Sequence, residues 1–231
     1  MDVAIVTGAS RGLGLALAEA LADRGWGLVI DARGSDALGE AAARLARRTT
    51  VLAITGDVAD ADHRRELVAA ARRLGTLSAV VNNASVLGPS PQPALADYPL
   101  DVVRQVYEAN VFGPLGLIQE ALPALGAGGR IVNITSDAAV EAYEGWGGYG
   151  SSKAALEQLT AVLAAERPDL RVYRVDPGDL RTQMHQEAFP GEDISDRPLP
   201  EVAVPGLLAL LEGDLPSGRY RAQELAPAVA V

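Results

Sequence analysis

Apolar runs a few residues long alternate with longer stretches in which apolar side chains recur at helical spacing, from the first residues to the last third of the chain. Val3-Ala4-Ile5-Val6 reads as a strand, Gly8 to Gly14 as a glycine-rich turn, and Leu13 to Arg24 as an alanine-rich helix. Strands follow at Leu28-Val29-Ile30, Thr50 to Ile54, Ala79-Val80-Val81, Arg130 to Ile134 and Arg171 to Val175. Helices are predicted between them over Asp36 to Arg47, Ala61 to Leu74, Leu100 to Leu122 and Gly150 to Glu166. A Pro-rich loop, Pro89 to Pro99, precedes the long helix. The tail adds a helix over Pro200 to Leu211 and a short strand near Gly218 to Arg221. Uninterrupted apolar strands separated by helices signal a parallel sheet covered on both faces. Right-handed crossovers then give an α/β doubly wound sheet with its ligand crevice at the carboxyl ends of the strands. No internal repeat or linker interrupts the pattern, so one domain is expected over residues 1–231.

Composition narrows the chemistry. At 231 residues, with 48% hydrophobic and 22% charged residues, the chain has the make-up of a packed globular domain and not of a disordered one. It has no Cys, which removes disulfides, thiolate metal ligands and a Cys nucleophile. His63 and His185 are too far apart in sequence to suggest a metal site, and none is expected. His63 reads as a surface residue of its helix. A net charge of −10 opposes nonspecific attraction to nucleic acid or an anionic membrane. No apolar run approaches the roughly 18 residues needed to span a bilayer, and the N-terminus lacks the features of a signal peptide. The expectation is a cytoplasmic protein without nucleic-acid or membrane partners. Of the 20 basic residues only Lys153 is Lys, so a chemical requirement for an amine at that position is suggested.

The first crossover reads Thr7-Gly8-Ala9-Ser10-Arg11-Gly12-Leu13-Gly14. Glycines at Gly8, Gly12 and Gly14 permit a tight turn, close approach of backbone N–H groups to a pyrophosphate, and close helix–strand packing. The spacing is GxxxGxG and not GxGxxG. An acidic residue at the end of the second strand would bind a ribose 2′-hydroxyl and repel a 2′-phosphate. Counting from Gly8, the deciding position is Ala32, which is neutral, and Arg33 follows it. Arg33 and Arg11 together would clamp a 2′-phosphate, which favours NADP(H). Asp31 keeps NAD(H) possible, since a shift of one residue would make it the ribose ligand.

Together with Asn82-Asn83-Ala84, Ser136, and Tyr149-Gly150-Ser151-Ser152-Lys153, this turn resembles the short-chain dehydrogenase/reductase family in its compact branch. The motifs follow in the expected order over almost the whole chain, with the serine 13 residues before the tyrosine. The resemblance implies a single-domain Rossmann-like fold and a catalytic tetrad of Asn110, Ser136, Tyr149 and Lys153. Tyr149 and Lys153 are an i, i+4 pair on one helix face. A nearby ammonium is expected to lower the phenol's pKa from its usual value near 10, readying it for proton exchange with the substrate oxygen. Ser136 would hydrogen-bond that oxygen, and Lys153 would also donate to ribose hydroxyls. Asn110, placed mid-helix against its propensity, organises in relatives a water that links the lysine to solvent. The resemblance further implies adenine contacts from Asp57 and Val58, and sugar contacts from Asn82 and Ala84. It also places Pro177 and Gly178 beneath the nicotinamide, with Thr182 on its carboxamide. Ser85 stands where the family usually has Gly, and Asp179 after Pro177-Gly178 has no counterpart that assigns it a role.

The polar segment from Gln183 to Pro198 is expected to form a mobile lid over the site. Ala138, Val140, Tyr143, Trp146, Leu180, Met184 and Phe189 are candidates for a pocket wall, with Val86 to Pro89 opposite. These readings converge on an NADPH-dependent carbonyl reductase, reversible as an alcohol dehydrogenase, for a small to medium ketone or secondary alcohol. A dinucleotide-binding regulatory or scaffold protein and an NAD-preferring dehydrogenase are the alternatives. Relatives commonly form homodimers or homotetramers, and the helices at Leu100 to Leu122 and after Gly150 are the surfaces expected to pair.

Overall fold

A computed structural model describes residues 1–225 of the chain. The last six positions of the domain expected over 1–231, residues 226–231, lie outside the described residues. Seven strands form one sheet in the order β3-β2-β1-β4-β5-β6-β7, and every neighbouring pair is parallel. They are β1 (Asp2–Val6), β2 (Gly27–Ala32), β3 (Val51–Thr55), β4 (Thr76–Asn82), β5 (Arg130–Ile134), β6 (Arg171–Asp176) and β7 (Gly218–Arg221). The order reverses between β1 and β4, which opens the crevice where such sheets bind ligands.

Alternation along the strands sorts the core into two layers. Ala4, Val6, Leu28, Ile30, Val81 and Val175 face α1 (Gly12–Asp23), α2 (Ser35–Leu45) and α8 (Val204–Glu212). Val3, Ile5, Val29, Val80, Ile131 and Val172 face α3 (Ala61–Leu74) and α5 (Gly113–Ala121). Both faces are therefore dry, and this is why the strands read as continuous apolar runs rather than alternating ones.

Three elements differ from their sequence reading. The helix expected over Leu100 to Leu122 is α4 (Leu100–Tyr107) and α5 joined by a π-helical segment, Glu108–Phe112. Pro114 has no N–H for the carbonyl of Asn110 four residues earlier, so the regular ladder cannot pass through this point. The helix α6 (Gly147–Glu166) starts a turn earlier than its strong formers indicate. The expected lid contains a short helix, α7 (Gln183–Ala188), whose first turn is capped by the Thr182 hydroxyl accepting from His185 N–H at 3.2 Å.

Candidate active site

The glycine turn between β1 and α1 is held from below and from the side. Gly8 has φ +65°, a conformation glycine adopts without strain. A Cβ at Gly14 would lie 2.5 Å from Asn83 Nδ2 and 2.6 Å from the Gly8 carbonyl oxygen, so only glycine lets α1 approach. Asn83 Nδ2 donates to the carbonyl oxygens of Thr7 (2.8 Å) and Gly8 (3.1 Å). Asp31 accepts from Gly8 N–H at 2.7 Å through Oδ1, and its Oδ2 meets His63 Nε2 at 2.9 Å. This corrects two expectations. His63 is buried, not a surface residue, and Asp31 spends both carboxylate oxygens inside the protein instead of holding them toward a ribose.

One cleft of about 1080 Å³ runs along the carboxyl ends of the strands. At one end it is lined by Gly8, Ser10, Arg11, Gly12, Leu13 and Arg33. It continues past Asp57, Val58 and Ala84 and ends among Ser136, Tyr149, Lys153, Pro177, Gly178 and Thr182. Gly14 supports the turn from behind. Asn82 does not line the cleft. Its Nδ2 donates to Asn133 Oδ1 at 2.7 Å within the sheet, as the last residue of β4, whereas Asn83 and Ala84 follow the strand and line the cleft. Arg11 and Arg33 both line the glycine-turn end of the cleft. Arg11 donates to the Gln183 side chain of α7, tying the turn to the lid, while Arg33 forms no ion pair among the described residues.

The geometry of the four candidate catalytic residues is uneven. Lys153 Nζ is buried, donates to the Ile134 carbonyl at 2.9 Å and sits 5.5 Å from the centre of the Tyr149 ring. Burial lowers its pKa from 10.5 to about 8. Tyr149 is buried as well, and desolvation pushes its phenol well above the ordinary value. A hydrogen bond with Ser85 works against that rise, while Asp137 and Asp176 add to it. The phenol is thus raised and not lowered as the neighbouring ammonium suggested: burial is the largest cause, and the nearby carboxylates act in the same direction. Ser136 Oγ donates to Asp137 Oδ1 (2.9 Å) and accepts from Ala138 N–H (3.2 Å), capping a short 3₁₀ turn at Asp137–Ala139. Asn110 does not reach the cleft. Its Oδ1 accepts from Val86 N–H (2.8 Å) and Ser85 Oγ (3.1 Å), and its Nδ2 donates to the Val86 carbonyl (2.9 Å) and Ser152 Oγ (3.0 Å). Its side chain is saturated by the protein and fixes the Ser85–Val86 wall.

Several residues of the site escaped the sequence reading. Asp137 follows Ser136 and accepts from the Tyr143 hydroxyl at 3.0 Å. Asp176 lies against Pro177, accepts from Gly178 N–H at 2.9 Å, and has its pKa raised chiefly by burial. Arg219 of β7 donates to Glu157 of α6 (2.9 Å) and to the Ser136 carbonyl (3.3 Å), and lies 3.6 Å from Asp176. Adjacency to Ser136 and Pro177 was available as a signal for the two carboxylates. No local signal marked Arg219, which arrives from 83 residues away.

A parallel sheet with a glycine-cradled crevice at its switch point, ending at a buried Tyr–Lys pair beside a serine, defines a dinucleotide-binding oxidoreductase scaffold. The lining fits a dinucleotide: it offers the glycine cradle, and the buried Thr135 Oγ1 of a cleft residue has no hydrogen-bond partner among the described residues. The family model described as short chain dehydrogenase matches residues 2–193, and the chain belongs to the short-chain dehydrogenase/reductase family. Sulfoacetaldehyde reductase 2 of Chromohalobacter salexigens is 37% identical over 191 residues, 79% of this chain and 74% of that protein. A Pseudomonas syringae structure assigned as a short chain dehydrogenase superimposes with a TM-score of 0.89 at 31% identity, covering 96% of this chain and 94% of that one. An alcohol dehydrogenase from Thermococcus sibiricus, complexed with 5-hydroxy-NADP, superimposes with a TM-score of 0.85 at 29% identity, covering 96% of this chain and 95% of that one. Among the described residues no helix is long and apolar enough to cross a membrane, and no group of His, Asp and Glu is arranged to hold a metal ion.

Proposed function

We propose that the protein is an NADP(H)-dependent carbonyl reductase, reversible as an alcohol dehydrogenase, acting on a small to medium ketone or secondary alcohol. The observation that carries this reading is the single cleft that joins the glycine turn to Ser136, Tyr149 and Lys153. When bound, the nicotinamide dinucleotide supplies the hydride in reduction or accepts it in oxidation. The protein's part is proton handling and placement. Tyr149, its pKa raised by burial, keeps its proton at neutral pH and gives it to the carbonyl oxygen as negative charge develops there. Ser136 turns its hydroxyl from Asp137 to the same oxygen. Lys153, with a pKa near 8, exchanges protons close to neutral pH and returns one to Tyr149.

The turn residues Gly8, Ser10, Gly12 and Leu13 would hold the pyrophosphate, with Gly14 allowing the approach. Asp57, Val58 and Ala84 would hold the adenosine side, and Pro177, Gly178 and Thr182 the nicotinamide. Arg33 stands free for a 2′-phosphate, beside the neutral Ala32 and an Asp31 already engaged. The NADP analogue in the Thermococcus sibiricus relative supports the same choice. Residues 183–198 act as the lid, latched to the turn through Arg11 and Gln183.

Loss of NADPH absorbance against a panel of ketones, aldehydes, quinones and cyclic diketones tests the activity. The wild type is expected to turn over at least one class, and Tyr149→Phe to lose at least about a hundredfold in kcat. Equal rates in the two proteins remove Tyr149 from its role. Arg33→Ala is expected to abolish the preference for NADPH over NADH, and an unchanged ratio refutes the cofactor assignment.

A further inference from the structure

The substrate end of the cleft carries a carboxylate that nothing in the hydride transfer requires. Asp137 is half-buried, lines the cleft and directly follows Ser136. Its hydrogen-bond partners are all neutral: Ser136 Oγ at 2.9 Å, Ala138 N–H at 2.8 Å and the Tyr143 hydroxyl at 3.0 Å. It forms no ion pair among the described residues, although such pairs are common elsewhere on this molecule. The nearby cations are committed to other groups. Arg219 is on Glu157 and Asp176, Arg221 on Glu224 and Asp176, Arg197 on Asp179 and Asp196, and Lys153 on the Ile134 carbonyl. Arg181, at the rim, reaches only the Ser195 carbonyl, at 3.5 Å.

An aromatic cluster begins at Tyr143, whose hydroxyl meets this carboxylate. Trp146 packs edge-on against Tyr143 (centroids 6.5 Å apart) and Tyr149 (5.7 Å), and against Phe189 of the lid at 5.9 Å. A second acceptor faces the same cavity. Among the described residues His185 Nε2 is buried with no hydrogen-bond partner, while its Nδ1 lies 4.0 Å from Asp179. With the ring proton on Nδ1, toward Asp179, Nε2 presents a lone pair. The Tyr143 phenol is pushed up in pKa by its hydrogen bond to Asp137 and by the charges of Asp137, Glu141 and Asp179, so the field at this wall is negative.

A carboxylate without a counter-ion, in one cleft with an aromatic cluster and an unpartnered histidine nitrogen, is the chemistry that recognises an alkylammonium group. The same carboxylate repels a carboxylate, sulfonate or phosphate brought to the adjoining carbonyl site. Resting on the reductase reading above, we propose that Asp137 makes this site selective for carbonyl compounds that carry a protonated amino group, and that it rejects anionic ones. The wall of Tyr143, Trp146 and Phe189 receives the apolar body that joins the amine to the carbonyl.

Three ketones of one skeleton test this: para-aminomethyl-, para-hydroxymethyl- and para-carboxy-acetophenone, assayed with NADPH at pH 7 in low salt. The expected order of kcat/KM is cationic, then neutral, then anionic, with each step about tenfold. Asp137→Asn, whose amide oxygen can still accept from Ser136 Oγ, is expected to bring the cation-to-anion ratio close to one. A parallel titration of the three ligands into the NADP⁺-loaded enzyme, read by Trp146 fluorescence, separates recognition from turnover. Preferential binding of the cation with no oxidation of NADPH refutes the reductase reading and leaves the selectivity standing. Equal affinities, failure of the cation to bind, or a ratio that survives Asp137→Asn overturns the selectivity whatever the turnover.

Discussion

At the scale of single residues, the site is governed by what burial does to two titratable groups. Tyr149 and Lys153 share one face of α6, yet each is shifted mainly by desolvation, the phenol upward and the amine down to about 8. Below pH 8 the folded protein therefore keeps an ammonium in a place that disfavours it. As pH rises from about 8 to 10.5, the folded state loses this proton while the unfolded chain still holds it, so stability increases across that window. Lys153→Met removes both the cost and the slope. At pH 7 the variant should be more stable than the wild type by up to about 3 kcal/mol, less whatever the unpartnered Ile134 carbonyl costs. The difference should shrink as pH passes through 8 toward 10.5. Chemical denaturation of the two proteins at pH 7 and pH 10 checks this. A variant less stable than the wild type at pH 7 would mean that Lys153 is held for packing and not at a cost. The same variant should have no measurable turnover, which would place this side chain among those kept for chemistry against stability.

At the scale of elements, the glycine turn depends on a buried chain running from α3 through β2 to β1. His63 meets Asp31, and Asp31 accepts from Gly8 N–H. Gly56, after β3, has its side-chain position filled by the imidazole: a Cβ there would lie 2.2 Å from His63 Nδ1. Gly56→Ala should then cost about 1–3 kcal/mol by overpacking and weaken NADPH binding by moving Asp31 under the turn. His63→Ala vacates the same space, so the double variant should be destabilised by less than the sum of the two single changes. Denaturant midpoints and NADPH titrations of the three variants measure this, and strict additivity would show that the two residues do not compete for space. The sheet, the turn and the Tyr–Lys pair were legible in the sequence because each depends on local spacing: apolar runs, the glycine spacing, an i, i+4 pair. Asp31 and His63 were misread because a polar residue in a strand or on a helix says nothing about a partner 32 positions away. The break at Asn110 was missed for another reason. The apolar period continues through it, and only Pro114 marks the place where the backbone ladder must change. Asn82 and Asn83 are adjacent, so their motif is plain, and only the end of β4 at Asn82 separates the one bonded within the sheet from the one that lines the cleft.

At the scale of the whole molecule, one surface stands exposed and apolar among the described residues in a way the charge pattern does not explain. Between α5 and α6 lies a groove of about 220 Å³ lined by Leu115, Ile118, Leu122, Leu156 and Leu163. Leu159 and Val162 on α6, and Phe112 at the head of α5, are 36%, 43% and 51% exposed. A protein of net charge −10 has ample polar surface to spend, so apolar side chains gathered along one helix pair are better explained by a partner than by chance. The partner proposed is a second copy of this chain, packed about a two-fold axis so that α5 and α6 meet their own counterparts. A two-fold contact doubles the effect of any substitution, because each change appears on both sides of the axis. Leu159→Glu with Val162→Glu would bring four carboxylates into such an interface and leave the helix itself intact, since Glu favours helix. The wild type is expected to run as a dimer or tetramer by size-exclusion chromatography with light scattering, and the double variant as a monomer with unchanged far-ultraviolet circular dichroism. A monomeric wild type would refute the assembly, and an unchanged assembly in the variant would move the contact to another face. Because α6 also carries Tyr149 and Lys153, both more than one turn before the substituted positions, the monomer should keep NADPH binding while losing thermal stability. A monomer that bound NADPH as tightly and melted at the same temperature as the wild type would show that the interface contributes nothing to the fold it covers.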